Sequence, residues 1–288
     1  MSDADVPVFE LKGVDYRYQG VPALAELSLT IPRGKRVVLL GANGSGKSTL
    51  LRLLDGLYFP AAGTVSAFGA PLDAQRLADE TTNFEFRRRV GFVFQNPDVQ
   101  LFNASVFDEL AFGPLQLRWP VERVRESVER MLETMGIAHL RDRPPHRLSG
   151  GEKKRVALAS VLILDPEVLL LDEPTTALDP ESESALIEML IDWGGGAKTL
   201  VMATHALDIV EDVADLCLVM QRGRLIAQGS AMEILGDLSL LQRSGLVHAH
   251  RHGHGGEVHL HHHLHRAPAK ADAGSRWRPI KGRKTPGV

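Results

Sequence analysis

Eight consecutive residues near the start of the chain have the types and spacing of a phosphate-binding loop. The pattern G-x-x-x-x-G-K-[ST] is formed by Gly41, Ala42, Asn43, Gly44, Ser45, Gly46, Lys47 and Ser48, and Thr49 follows it. Glycines let backbone N–H groups curve around a β-phosphate, and a helix N-terminus adds roughly half a positive charge. Lys47 would reach the β- and γ-phosphates while the Ser48 hydroxyl ligates Mg²⁺. The loop therefore predicts a site for a nucleoside triphosphate with Mg²⁺.

Two adjacent carboxylates, Asp172 and Glu173, follow an apolar segment at 168–171. If that segment is a buried parallel strand, its carboxyl end lies beside the phosphate-binding loop. Asp172 then suits Mg²⁺ through a water molecule, because this ion keeps much of its hydration shell. Glu173 is placed to polarise or deprotonate an attacking water. Two acids at the end of a strand are equally typical of a solvated turn, but together with the loop they predict a centre for hydrolysis.

Short apolar runs indicate the elements that must position these residues. Strands are predicted at 36–40, 90–94, 168–171, 199–203 and 216–220. Near-continuous apolar runs are typical of a parallel sheet that is covered on both faces, and their alternation with helices predicts a layered α/β fold. Segments 9–18 and 25–31 instead alternate apolar and polar residues, which predicts an antiparallel sheet. Between about 97 and 159 the spacing becomes helical, so we expect an inserted helical subdomain.

The composition excludes several classes of protein. The formal charge of -3 combines +6 in residues 248–288 with -9 in the remainder, and an acidic body does not favour nucleic-acid binding. The single cysteine, Cys217, rules out an internal disulfide, and its apolar neighbours predict a buried strand position. The longest apolar runs fall far short of the ~20 residues that span a bilayer, and residues 1–5 lack a secretory pattern. We expect a cytoplasmic chain whose membrane role, if any, requires a partner.

A third motif, LSGGEKKR at 148–155, lies just upstream of the strand that ends in Asp172. Here the sequence closely resembles the ABC ATPase family, whose hallmark is an LSGGQ-like signature, and the resemblance extends over residues 7–240. It implies an α/β fold, with a P-loop NTPase (RecA-like) core, an N-terminal antiparallel β-subdomain and an inserted α-helical subdomain at about 97–159. The ATPase domain would span 1–245, followed by a His-rich and then basic, disordered tail at 246–288.

The resemblance implies that the nucleotide is ATP and assigns further residues to it. Gln95 matches the Q-loop, which ligates Mg²⁺ and reports the nucleotide state to the helical subdomain. His205 matches the switch histidine, which contacts the γ-phosphate and holds the attacking water. Tyr18 stands where the family stacks an aromatic ring on adenine, with Tyr16 as the alternative.

The resemblance also implies a second ATPase subunit. Ser149, Gly150 and Gly151 would donate hydrogen bonds to the γ-phosphate of ATP that is held by the phosphate loop of the other copy. Two ATP molecules would then lie between two head-to-tail subunits, in a homodimer. Residues 178–179 match the D-loop of the family. Glu152 departs from the more frequent glutamine.

Several features favour a transporter subunit over other family members. About a hundred residues separate Thr49 from the signature without sustained heptads, which argues against members with long coiled coils, and the chain carries one ATPase unit. Segments 95–102 and 111–114 resemble energy-coupling-factor importers, including their cobalt and nickel branch. Import of cobalt or nickel at the cytoplasmic face of the cell membrane is the leading interpretation. A vitamin importer is the first alternative and a non-transport ATPase is the second.

Membrane subunits would dock through a coupling helix, received by a groove in this region. Aromatic and aliphatic side chains there are candidate anchors. We predict that Leu101 and Phe102 serve docking and that Phe92 and Phe94 belong to the core.

Nine of the twelve histidines lie between His248 and His265, many of them at alternate positions. Alternation places residues on one face of an extended segment, and imidazole binds Ni²⁺, Co²⁺, Zn²⁺ and Cu²⁺. The hypothesis is that this tail binds a divalent metal. An expression tag or a solvated low-complexity tail are the alternatives. The basic residues that follow would either touch anionic headgroups or simply aid solubility.

Overall fold

The apolar runs of the sequence form a central sheet that separates two apolar clusters. The computed structural model describes residues 6–247 and, further on, the backbone of 250–254 and 257–261. The elements in chain order are β1 (Phe9–Tyr18), β2 (Val21–Ile31), β3 (Arg36–Leu40), α1 (Lys47–Leu54), β4 (Ala62–Ala67), β5 (Ala70–Pro71), α2 (Ala74–Leu77), α3 (Glu80–Arg89), β6 (Val90–Val93), α4 (Val106–Gln116), α5 (Val121–Thr134), α6 (Gly150–Leu162), β7 (Val168–Asp172), α7 (Pro180–Trp193), β8 (Thr199–Thr204), α8 (Val210–Val213), β9 (Leu216–Gln221), β10 (Arg224–Gly229), α9 (Ala231–Gly236), α10 (Leu238–Arg243), β11 (His250–His254) and β12 (Glu257–His261).

The central sheet has six strands in the order β10-β9-β3-β8-β7-β6. All neighbouring strands are parallel except β10, which pairs antiparallel with β9. Because side chains alternate along a strand, Val37 and Leu39 enter one apolar cluster and Val38 and Leu40 enter the other. Because β3, β6, β7 and β8 are parallel, their carboxyl ends meet at one edge of the sheet, and the predicted site residues follow these ends.

A second sheet, in the order β2-β1-β4-β5, is antiparallel and covers one face of α1. Phe9 and Leu27 of this sheet join Leu50 and Leu51 of α1 in one buried cluster. The first helix after the phosphate loop is thus held between two sheets, which fixes the direction in which its N-terminus points.

Residues 97–162 form only α-helices, 3-10 turns and connecting loops. In α5 the side chains of Val124, Val128 and Leu132 are buried at helical spacing, whereas Val121 in the first turn is 62% exposed. Buried Val106 and Leu110 of α4 and Val156 of α6 belong to the same cluster. This helical segment packs on the sheet face opposite to that covered by α1.

The predicted fold class is confirmed, and the five predicted core strands agree with the structure within one residue at either end. Cys217 is buried in β9, as predicted. Strand β4 and helices α2 and α3 were not predicted. The boundary of the ATPase domain at 245 stays a prediction.

The described body ends next to the phosphate-binding loop. Leu246 and Val247 pack against the core cluster, and a Cβ added at Gly245 would lie 3.5 Å from the Cβ of Ala42. Strands β11 and β12 pair antiparallel further along the chain. The predicted disorder of the tail concerns mainly 248–249, 255–256 and 262–288, which lie outside the described residues. Within the described part of the chain, no helix is both long and apolar enough to cross a bilayer.

Candidate nucleotide-binding site

The loop between β3 and α1 has a backbone that requires glycine at both of its ends. Gly41 has φ 154° and Gly46 has φ 107°. A Cβ at Gly41 would lie 2.4 Å from the carbonyl oxygen of Met220, and one at Gly46 would lie 2.8 Å from that of Ala23. The glycines therefore allow the loop to turn tightly against neighbouring backbone. Buried Ser45 Oγ has no hydrogen-bond partner among the described residues, as expected of a group that awaits a polar ligand.

Lys47, the first residue of α1, places a buried ammonium inside this loop. Its Nζ donates to the carbonyl oxygen of Gly41 at 2.6 Å and lies 3.5 Å from Oε1 of Glu173. Burial lowers the pKa of Lys47, while the Glu173 carboxylate acts in the opposite direction. A phosphate beside Lys47 would favour the charged ammonium further. The buried cation, the glycine turns and the unpaired Ser45 hydroxyl together fit a bound phosphate chain.

Ser48 and Asp172 meet at the end of the sheet. The Ser48 hydroxyl donates to Oδ1 of Asp172 at 2.9 Å, and Asp172 is buried at the last position of β7. Burial raises the pKa of Asp172, and the bond from Ser48 lowers it. Paired oxygen ligands from a hydroxyl and a carboxylate suit Mg²⁺, which would also stabilise the ionised form. These residues fit the predicted ion.

Glu173 joins the phosphate loop to the end of β8. Its Oε2 lies 2.9 Å from Nδ1 of His205, and its Oε1 faces Lys47. Glu173 is buried and adopts φ 48°, a left-handed conformation that residues with a Cβ rarely occupy. The side chain of His205 is 53% exposed. The turn thus aims a buried carboxylate at the loop and leaves its histidine partner open to solvent.

The three tyrosines of the chain cluster beside α1. The Tyr18 hydroxyl lies 3.2 Å from Oγ1 of Thr49, and Tyr16 stacks on Tyr58 with ring centroids 5.1 Å apart. Tyr18 has the exposed ring, whereas Tyr16 and Tyr58 are half-buried. This arrangement favours Tyr18 over Tyr16 as a stacking surface.

Two groups of predicted residues stay apart from this centre. Gln95 follows β6 with an exposed side chain, and no hydrogen bond within the described residues joins it to Ser48 or Asp172. Ser149, Gly150 and Gly151 likewise make no described hydrogen bond to the phosphate loop.

The segment after Gln95 is instead fixed by a residue that the sequence did not single out. Gln100 Nε2 donates to the carbonyl oxygen of Ala157 at 2.8 Å, and its Oε1 accepts from the Phe94 N–H at 3.2 Å. An amide with both a donor and an acceptor can tie β6 to α6, but one glutamine gives no sequence signal for this.

Helix α6 begins at the signature with a reciprocal cap. Ser149 is the N-cap and accepts from the Glu152 N–H at 3.3 Å, while Oε2 of Glu152 accepts from the Ser149 N–H at 2.7 Å. A Cβ at Gly150 would meet nothing within 4 Å. Packing within this chain therefore does not require glycine there, and the bare surface suits close approach by another molecule.

Comparisons with known proteins identify the family of this chain. A family described as "ABC transporter" matches residues 24–176, more than half of the chain. The nickel import ATP-binding protein NikO of Rhodobacter capsulatus is 60% identical over 244 residues, which cover 84% of this chain and 96% of that protein. The chain belongs to the ABC transporter ATP-binding family, and it is an ATPase whose hydrolysis of ATP is coupled to transport.

Two solved structures share the fold. CbiO1 of Clostridium perfringens, described as part of the transporter complex CbiONQ, superposes with a TM-score of 0.71 at 36% identity, covering 84% of this chain and 96% of that one. The ATP-binding cassette MJ0796, solved as a dimer with ADP and phosphate, gives a TM-score of 0.69 at 25% identity, covering 77% and 98%.

Proposed function

We propose that this chain is the ATPase subunit of an importer for a divalent metal ion, nickel or cobalt. The observation that carries the proposal is the 60% identity with a nickel import ATP-binding protein over nearly that protein's whole length. The similarity to CbiO1 supports the same branch of transporters. The chain would work at the cytoplasmic face of the membrane, attached to separate membrane subunits that carry the ion.

In this proposal the phosphate loop and the ends of β7 and β8 carry out hydrolysis. Lys47 and the loop N–H groups bind the β- and γ-phosphates, and Tyr18 stacks on the adenine. Ser48 and Asp172 would hold Mg²⁺, which would supply positive charge beside the phosphate oxygens. Glu173 accepts a proton from the attacking water while His205, 2.9 Å away, orients the carboxylate and reaches toward the γ-phosphate.

Completion of this site by a second copy is part of the proposal. Among the described residues, no hydrogen bond joins Ser149, Gly150 or Gly151 to the loop of their own chain, yet they form a bare helix N-terminus suited to a phosphate. The dimer of the similar cassette MJ0796 supports this arrangement. Gln95 would complete the Mg²⁺ ligands once the subunits close.

The proposed contact with the membrane subunits lies on the helical segment. Phe102 is 67% exposed and contacts Phe112 edge-to-face at 5.0 Å between ring centroids. Val99 and Leu115 are also exposed. The prediction for Leu101 is wrong, because this residue is 8% exposed and joins the hydrophobic core. Phe102 and its apolar neighbours suit the apolar face of a coupling helix.

Uptake of labelled Ni²⁺ and Co²⁺ by cells tests the proposal, with the native chain compared against Glu173→Gln. The variant should bind ATP but lose most of its turnover, at least about a hundredfold, because a neutral amide cannot accept the proton. Glu167→Gln is the control, since Glu167 precedes β7 at its other end and contacts Arg89. Uptake that requires Glu173 supports metal import and reveals the preferred ion.

Two results would contradict parts of this proposal. Near-normal ATP hydrolysis by Glu173→Gln would contradict the assignment of Glu173 as the general base. If neither ion is taken up while the complex still hydrolyses ATP, the transported substrate is a vitamin or another solute. A non-transport ATPase would fail to co-purify with membrane proteins.

The proposal extends to metal binding by the histidine tail. The register of β11 and β12 pairs His250 with His261, His252 with His259 and His254 with Glu257. The ten residues of these two strands include five histidines and one glutamate, a composition that suits Ni²⁺ or Co²⁺.

Calorimetric titration of the whole protein with Ni²⁺ tests the tail. A variant with asparagine at the two histidine pairs (His250, His252, His259 and His261) should bind Ni²⁺ at least about tenfold more weakly. The control carries Arg251→Gln and Leu260→Ala, which change the residue pair between the two histidine pairs in the register. Metal binding by the tail would be contradicted if the native protein and the histidine variant bind Ni²⁺ equally. Equal binding by the native protein and a chain truncated after Gly245 would contradict it as well.

A further inference from the structure

The turn that follows β7 is held by an ammonium from another helix. Lys154 of α6 directs its Nζ to three carbonyl oxygens of this turn: that of Pro174 at 2.9 Å, that of Glu173 at 3.4 Å and that of Thr176. An ammonium has three N–H donors and no acceptor, so three converging carbonyls match its whole capacity. The fit resembles an internal cation site that the lysine itself fills.

The held turn is strained at both ends. Glu173 has φ 48° and Ala177 has φ 63°, and neither is glycine. Such conformations are unfavourable for residues with a Cβ and persist only where the surroundings impose them. Burial lowers the pKa of Lys154, with Glu173 and Glu183 acting in the opposite direction. The half-buried ammonium is therefore placed to maintain a backbone that would otherwise relax.

The position of Lys154 on α6 connects this turn to the signature. Lys154 lies five residues after Ser149, about one and a half helical turns into α6. The N-terminus of that helix is the part proposed to meet ATP on a second copy. In this arrangement α6 would contact the ATP of the second copy through its N-terminus. Through Lys154, the same helix contacts the turn that carries Glu173, the proposed general base for the ATP of its own chain.

We propose that Lys154 is a positioning residue for Glu173, and that through α6 it makes the direction of this carboxylate depend on engagement of the signature. The inference rests on the proposed role of Glu173 as the base. Lys154 would act through the backbone of the turn, whose carbonyl oxygens it contacts. Its loss should lower the rate of hydrolysis much more than the affinity for ATP.

The test compares Lys154→Met with a second lysine that also holds backbone carbonyl groups. Lys198 Nζ donates to the carbonyl oxygens of Asp165 and Pro166, at 3.0 and 2.7 Å, just before β7, and pairs with Oδ1 of Asp165 at 2.6 Å. Lys154→Met should lower kcat at least about tenfold and change KM for ATP less than about threefold, because the base is displaced. Lys198→Met should lower the melting temperature by a similar amount with kcat unchanged.

Chemical rescue separates positioning from a folding defect. In Lys154→Cys, the thiolate displaces bromide from 2-bromoethylamine, forming a carbon–sulfur bond and restoring an ammonium at nearly the original length. The native Cys217 is 0% exposed, and burial raises its pKa to about 11, so it should remain unmodified. Treated Lys154→Cys should regain most of its kcat, and treated native protein should be unchanged.

The outcomes distinguish this inference from the assignment of Glu173. If Glu173→Gln loses turnover but Lys154→Met keeps kcat within about twofold, the positioning role is wrong and the base stands. Equal losses of kcat in Lys154→Met and Lys198→Met, or no rescue of a folded and modified Lys154→Cys, would also overturn it. If Glu173→Gln keeps its turnover, Glu173 is not the base, and the proposed function of the site is contradicted before the inference about Lys154 is reached.

Discussion

At the scale of single residues, desolvation outweighs an ion pair at Asp55. This residue follows α1, and Arg87 of α3 donates to its Oδ2 at 2.8 Å and to its carbonyl oxygen at 2.7 Å. Burial raises the pKa of Asp55 to about 6, although Arg87 lowers it. The helix that starts at the phosphate loop therefore ends in a carboxylate that titrates just below neutral pH.

Asp55→Asn should change how stability depends on pH. The native state binds more protons at Asp55 than the unfolded state between about pH 4 and 6, so this residue's contribution to stability falls as pH rises through about 6. Asparagine does not titrate, and the variant should gain about 2–3 kcal/mol relative to the native chain between pH 4 and pH 7. Urea unfolding at both pH values measures this difference.

Asp215→Asn is the control for this prediction, because its titration has the opposite sign. The hydrogen bond from Arg36 lowers the pKa of Asp215. The contribution of Asp215 to stability is therefore kept at neutral pH and lost as pH falls below the usual range of aspartate. A difference between Asp55→Asn and native protein that does not vary with pH would contradict the account of Asp55.

At the scale of secondary structure, two helices begin with the same reciprocal cap. Ser149 and Glu152 cap α6, and Ser230 and Glu233 cap α9 with the same carboxylate-to-backbone distance of 2.7 Å. Glutamate and glutamine can both accept the N-cap N–H in this motif. This explains why Glu152 can stand where the family more often has glutamine.

Substitutions at the two caps should separate stability from catalysis. Glu152→Ala should lower the free energy of unfolding by about 1 kcal/mol, and Glu233→Ala should change it in the same direction, whereas Glu152→Gln should change it by less than about 0.5 kcal/mol. Only Glu152→Ala should also lower ATPase activity, since α6 carries the signature. Thermal unfolding and ATP turnover of the three variants measure both effects, and equal activity in the two alanine variants would contradict the link.

The elements that sequence predicted well are those with strong local patterns. The apolar run at 36–40 matches β3 because a doubly covered strand leaves no position for polar residues. Strand β4 has the sequence AGTVSA, which carries no such pattern and depends on pairing with β1. Leu101 was misplaced because apolar character alone does not distinguish a core residue from an exposed anchor.

The same limit applies to the candidate site. Lys47, Ser48, Asp172 and Glu173 lie in contiguous motifs, and the structure brings them together through contacts of 2.9 and 3.5 Å. Lys154 acts on a turn about twenty residues further along the chain, so only the tertiary structure reveals its three carbonyl partners. Contacts that depend on the fold give no periodic signal in sequence.

At the scale of the whole molecule, the apolar pair of Phe102 and Phe112 lies on the helical segment, and neither residue binds phosphate in our proposal. Phe102→Glu should lower metal uptake at least about tenfold, because a charge in a desolvated contact is costly. The ATPase activity of the isolated chain should remain within about twofold of native. Met232→Glu is the control, since Met232 of α9 is 81% exposed outside that segment. Equal uptake by the two variants would contradict docking at Phe102.

The place where the described body ends has a consequence for any metal on the tail. Gly245 lies against Ala42 of the phosphate loop, and His248 follows three residues later. Three residues of chain span at most about 11 Å, and so short a tether keeps a group at a local concentration in the millimolar range. If the tail binds a divalent ion as we propose, its imidazoles would compete with ATP for that ion at this local concentration. The ion occupancy of the nucleotide site would then depend on tether length as well as on free metal.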